Sequence, residues 1–227
     1  MDFKTNIAKF GIKSVYLNIF GIILSGLLFP ILSTMFFPQP QWVSPELFIK
    51  SFHPIQTATF FCGYFLITGS LLTFISLYLK CDDNKKVYMF SALLINVIFS
   101  VIVFLNYIIQ TTYIPYLAMN NPVETNTILP ALTMSKAGSL AWALEMYGWG
   151  GIGLSFIMAS PIFGNNKIET YLKYLFITNG ICSVSAAIMT SINMNWIFSY
   201  AGFASLIIWN VLVLIIDILL LRYFKQF

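Results

Sequence analysis

Residues 87–112 read VYMFSALLINVIFSVIVFLNYIIQTT. No charged side chain interrupts this run, and it exceeds the roughly 20 residues that a helix needs to cross bilayer hydrocarbon. Its polar residues fall in a pattern. Asn96, Phe99, Val103, Asn106 and Gln110 step by three and four and so share one helical face. Asn96 sits toward one end of this stripe, while Asn106, Tyr107 and Gln110 sit toward the other.

The same reading extends outward in both directions. Apolar segments of similar length cover Val15–Phe37, Ile55–Leu79, Ala137–Ser160, Tyr171–Ile192 and Trp196–Leu221. Composition agrees: the chain is 59% hydrophobic and 9% charged, whereas a soluble domain carries about 25% charged residues. Strand-like alternation is absent, and helices satisfy their own backbone groups in lipid. The expected fold is therefore all-α: a polytopic membrane protein of six transmembrane helices. Residues 1–227 form a single transmembrane domain, with extracytoplasmic loops at 38–54 and 113–136.

Charge sets the expected orientation. Of the 12 Lys and Arg, Lys4, Lys9, Lys13, Lys80, Lys85, Lys86, Lys167, Lys173, Arg222 and Lys225 fall on one side, and Lys50 and Lys136 on the other. The positive-inside rule places the N-terminus and C-terminus in the cytoplasm, in a plasma membrane or bacterial inner membrane. The net charge of +4 follows from this topology. It gives no basic patch for nucleic acid; anionic membrane lipids are the expected partners of these side chains. The first segment is too long for a cleaved signal peptide and reads as a retained span. Met1–Ser14 reads as a basic arm on the inner membrane surface, and Pro30 as a kink in the outer half of segment one.

Loops carry local signals. Ser44-Pro45-Glu46 reads as an N-cap followed by proline at the first helical position, which predicts a short interfacial helix beside Trp42. The loop from Tyr113 to Lys136 is long and rich in apolar residues, so it is expected to pack over an outward-facing cavity.

Glu145 is the residue with most to say about function. It lies inside Ala137–Ser160, about 12 Å down a helix entering from outside near Ala137. Acids at such depth are costly and mark sites or pathways. Asn106, Gln110 and Tyr107 reach the same level from segment three, and Gln56 and His53 flank the outer start of segment two. Trp142 and Trp149 recur with Glu145 at three and four residues and supply apolar walls, with Tyr147 completing a candidate aromatic cage for a cation. These residues are expected to form an outer-half polar pocket for a small-molecule or cationic ligand. Asp217 is expected to pair with Arg222, Lys225 or a basic inner loop.

Catalytic signatures are few. One peripheral histidine disfavours a Ser-His protease or a multi-histidine metal centre, and Cys62, Cys81 and Cys182 form neither a metal set nor an external disulfide. No metal site is predicted, and no cofactor is identified by any motif. The leading expectation is a small-molecule binding or transport protein. Two alternatives stand beside it. One is a non-ATPase membrane subunit of a larger transporter, contacting a cytoplasmic ATPase or another membrane subunit. The other is a membrane enzyme acting on a lipid or isoprenoid.

Overall fold

The computed structural model describes residues 3–164 and 166–226, and their regular structure is entirely helical. In chain order the α-helices are α1 (Phe3–Ile23), α2 (Phe29–Phe36), α3 (Pro45–Ser51), α4 (Ala58–Lys80) and α5 (Lys86–Ile108). They continue with α6 (Ile114–Asn120), α7 (Thr125–Leu132), α8 (Leu140–Ala159), α9 (Lys167–Ile192) and α10 (Tyr200–Lys225).

Two prolines shape the long elements. A five-residue π-helical turn, Leu24–Leu28, joins α1 to α2 just before Pro30, and another, Ile109–Tyr113, joins α5 to α6 just before Pro115. Proline has no N–H to give the carbonyl four residues back, and its ring crowds that carbonyl. A widened turn relieves the conflict while the helix continues. The expected distortion at Pro30 is thus present, but the helical run passes through it. Two sequence expectations change as a result. The basic arm is helical from Phe3 and continuous with the first span, with Ser14 and Val15 buried. Segment three continues through α6 to Asn120, so the second outer loop is shorter than expected and largely helical.

The long helices close into a ring: α1 packs on α4, α4 on α5, α5 on α8, α8 on α9, α9 on α10, and α10 back on α1. One end of the ring gathers the starts of α1 and α9 and the ends of α4 and α10. There Lys80 Nζ donates to the Tyr223 carbonyl at 2.7 Å, and Lys85 Nζ to the Ile162 carbonyl at 3.0 Å. The other end gathers α3, α6, α7 and the turn at Met194–Phe198. The predicted interfacial helix is α3, whose N-cap Ser44 Oγ accepts from Leu47 N.

Five helical runs among the described residues, rather than the six expected, are long and apolar enough to cross a membrane: Lys4–Phe36, Pro54–Lys80, Asp83–Asn120, Lys167–Ile192 and Tyr200–Lys225. The exception is α8. It spans the ring between α5 and α9, but Glu145, two tryptophans, Tyr147 and its glycines lower its apolarity. Those glycines bring its neighbours close. A Cβ on Gly180 of α9 would run into the Ile157 side chain and lie 2.6 Å from the Gly153 carbonyl oxygen of α8, so the glycine permits a close approach of the two helices. Large apolar side chains such as Phe20, Ile31, Val101, Ile188 and Ile207 face outward. An apolar perimeter of this extent suits lipid and not water. The chain is a polytopic helical membrane protein.

Candidate functional site

Glu145 sits five residues into α8, because the helix starts at Leu140 after the left-handed Gly138 (φ +76°) and not at Ala137. That places it about 8 Å below the helix start, shallower than the sequence suggested. Ser139 caps the helix, its Oγ accepting from Trp142 N.

The carboxylate is held by three neutral donors. Tyr107 Oη donates to Oε1 at 2.9 Å, Trp149 Nε1 donates to the same oxygen at 2.8 Å, and Asn106 Nδ2 donates to Oε2 at 2.9 Å. The segment-three stripe brings buried Asn106 to α8, and its neighbour Tyr107, whose ring packs against Phe60, Gly63 and Tyr64, reaches Glu145 through its hydroxyl. Trp149 follows Glu145 by one helical turn. A carboxylate with three donors is well oriented, yet no cation pairs with it among the described residues.

Glu145 faces a cavity of about 1160 Å³. All 5 tryptophans of the chain, Trp42, Trp142, Trp149, Trp196 and Trp209, line it. Trp149 and Trp209 meet edge to face with centroids 5.0 Å apart, and Trp142 meets Phe198 in the same way at 5.5 Å. Lys136 also lines the cavity, with Nζ 6.0 Å from the centre of the Trp42 ring. The cavity extends to Pro30 and Ser33 of α2 and to Phe203 and Leu206 of α10, the last two more than half exposed.

The other sequence-selected residues divide. Gln110 is buried and lines the cavity, but its polar atoms hold the adjoining strap: Nε2 donates to the Leu132 carbonyl at 2.7 Å, and Oε1 accepts from Met134 N at 3.2 Å. Trp142 Nε1 donates to the Met134 carbonyl at 2.7 Å, fixing the same strap from α8. Gln56 lines the cavity edge while bracing loop backbone, with Nε2 donating to the carbonyls of Phe37 and Ser51. His53 lies outside the cavity lining: its ring stacks on Phe37 at 3.8 Å and its Nδ1 accepts from Ile55 N as a helix cap. Tyr147 is turned away, bonded to Ser191 of α9, and the aromatic neighbours of Trp149 and Trp142 are Trp209 and Phe198.

Sequence reading missed three contributors. Trp209 and Trp196 lie in or beside segment six, where an isolated tryptophan is indistinguishable from a lipid-facing one. Gln39 sits in a proline-rich loop; its Oε1 accepts from Ser135 Oγ at 2.7 Å, while its buried Nε2 has no partner and lies on the cavity wall.

Asp217 departs from its expected ion pair. It is buried in α10, and Asn18 Nδ2 of α1 donates to both of its oxygens at 3.0 Å. Among the described residues no salt bridge joins it to Arg222 or Lys225. No family model matches this chain, and no curated protein or solved structure matches it.

Proposed function

We propose that this membrane protein binds a small organic cation in the tryptophan-lined cavity and carries it across the bilayer. One observation carries the reading: a half-buried carboxylate with only neutral hydrogen-bond donors borders a space walled by every tryptophan in the chain. Glu145 supplies the charge that recognises an ammonium group. Trp142, Trp149 and Trp209 supply aromatic faces, each worth about 0.5–2 kcal/mol toward a cation. Gln39 Nε2 offers a donor to a polar group on the ligand. In this reading α8 is the sixth crossing, both termini are cytoplasmic, and the cavity opens away from the cytoplasm of a plasma or bacterial inner membrane.

The test compares aromatic quaternary ammonium compounds with their uncharged carbon isosteres, using tryptophan fluorescence of the purified protein and uptake into liposomes. The charged compounds bind saturably, and Glu145→Gln weakens them about tenfold or more while leaving the isosteres unchanged. Lys136→Gln shifts affinity for the charged compounds the opposite way, most visibly at low salt. Equal binding of both series in wild type and Glu145→Gln removes the proposal.

The cavity's reach between α2 and α10, past the exposed Phe203 and Leu206, favours a second reading in which an apolar lipid or isoprenoid enters from the bilayer and is protonated by Glu145. Product formation from a lipid extract that stops in Glu145→Gln identifies it.

A further inference from the structure

A second, far smaller cavity lies at the centre of the ring. It is lined by Asn18 of α1, Ser70 of α4, Asn179 and Ser183 of α9, and the inner faces of Trp149 and Trp209. Its volume is about 10 Å³, room for one water-sized particle. Trp149, Trp209, Leu66 and Ser183 also border the large cavity, so the tryptophan pair forms a partition between the two spaces.

The polar atoms around it are unusual in kind. Asn18 is 5% exposed and Asn179 is 1% exposed, and the Oδ1 of each is a buried acceptor with no donor. The Asn18 amide cannot be turned over, because its Nδ2 faces both oxygens of Asp217 at 3.0 Å and only an N–H side satisfies a carboxylate. Its carbonyl oxygen is left for the cavity. Ser183 Oγ donates to the Asn179 main-chain carbonyl and accepts from Trp209 Nε1, which leaves a lone pair unused. Ser70 Oγ receives only a long 3.5 Å contact from Asn96 Nδ2. The wall is mostly apolar, with Leu66, Ile152, Phe156 and Val213 among its members, and its polar part presents two buried carbonyl oxygens, of Asn18 and Asn179, that receive no donor.

Charge points the same way. Asp217 is 1% exposed, and no salt bridge reaches it among the described residues. When ionised, a buried carboxylate served by one amide has most of its charge uncompensated, and a cation nearby favours that form. That charge polarises the Asn18 amide and adds electron density to the oxygen on the other side, in the manner of outer-shell partners that tune metal ligands.

We propose that the small cavity binds one Na⁺ ion, through the side-chain carbonyl oxygens of Asn18 and Asn179 and the hydroxyls of Ser70 and Ser183, with Asp217 balancing its charge through Asn18. Neutral oxygens with a single negative charge behind them suit a monovalent ion. Ca²⁺ takes carboxylates directly, in larger shells, and Mg²⁺ keeps several waters that this space does not hold. The ion lies directly beneath Trp149, whose indole also holds Glu145, so occupancy of the small cavity acts on the large one through a shared wall. By linkage each site then changes the affinity of the other by the same factor.

The experiment uses the full chain in detergent with no organic ligand present, titrating NaCl against KCl at constant ionic strength. Tryptophan fluorescence and ²²Na⁺ binding are the readouts. Saturable binding of one Na⁺ per chain, not reproduced by KCl, is expected. Asp217→Asn and Asn179→Ala each weaken it about tenfold or more. If Asp217→Asn does not fold, Asn179→Ala and the wild-type titration still decide. Absence of Na⁺-specific binding in the wild type, or identical responses to NaCl and KCl, overturns the site and assigns the cavity to a structural water. Na⁺ binding lost in Glu145→Gln but kept in Asp217→Asn and Asn179→Ala overturns it in favour of the large cavity. Because the readout needs no organic cation, it stands or falls separately from the proposed function.

Discussion

Glu145 draws its donors from 39, 38 and 4 residues away: Asn106, Tyr107 and Trp149. The local partner fixes the rotamer and the two distant ones fasten α8 to α5, so the carboxylate clamps two helices and, in the proposed function, also recognises the ligand. These roles separate experimentally. Tyr107→Phe keeps the ring that packs on Phe60 and Tyr64 but removes one donor. Interhelical hydrogen bonds in membranes contribute about 0.6–2 kcal/mol. Thermal or denaturant unfolding in detergent is expected to show a loss in that range for Tyr107→Phe, with binding of charged ligands retained. Loss of binding without loss of stability would instead place the Tyr107 hydroxyl on the ligand.

Among the elements, α8 is the one that ordinary membrane criteria pass over and that the ring requires. Its glycines give up apolarity in exchange for backbone contact. Gly180→Val on the facing helix should destabilise the protein by about 1–3 kcal/mol, the usual cost of forcing bulk into a packed seam. The measurement is unfolding in detergent, and an unchanged midpoint would mean that α8 and α9 pack more loosely than their geometry indicates. The elements also show what sequence can and cannot convey. The stripe Asn96–Gln110 and the cap at Ser44 were legible because periodicity and capping act within a few residues. So was the meeting of Glu145 with Asn106 and Tyr107, since depth along two apolar runs can be counted. The partner of Asp217 was not, because it comes from a helix 199 residues away and nothing local distinguishes Asn18 from any other small polar group in a span. His53 misled for a related reason: its stacking on Phe37 and its cap to Ile55 are loop contacts that spacing does not encode. The helical turns that replace much of the second outer loop were hidden by its prolines, which read as breaks although a π-turn lets the helix continue through Pro115.

For the whole molecule, the two ends of the ring differ in charge. Lys80, Lys85, Arg222 and Lys225 cluster at one end with the starts of α1 and α9, while Lys50 and Lys136 stand at the other. The proposed orientation follows from that bias, and it is open to direct labelling. In a background with Cys182 replaced by serine, Val123→Cys on the fully exposed α6–α7 turn should react with a membrane-impermeant maleimide applied to intact cells. Asn84→Cys in the α4–α5 turn should react only after the cells are opened. The reverse pattern would invert the protein and turn the large cavity toward the cytoplasm.

Closing the ring between α10 and α1 also has a consequence for biosynthesis. Asn18 is made 199 residues before Asp217. At about 5–20 residues per second, the amide spends roughly ten to forty seconds among lipids and other helices without the carboxylate that will hold it. The seam is a latch that only α10 can fasten. Until then the nascent bundle is an open clasp, and a ribosome stalled inside α10 would leave a protein with nearly every helix in place and its central oxygens exposed along one side.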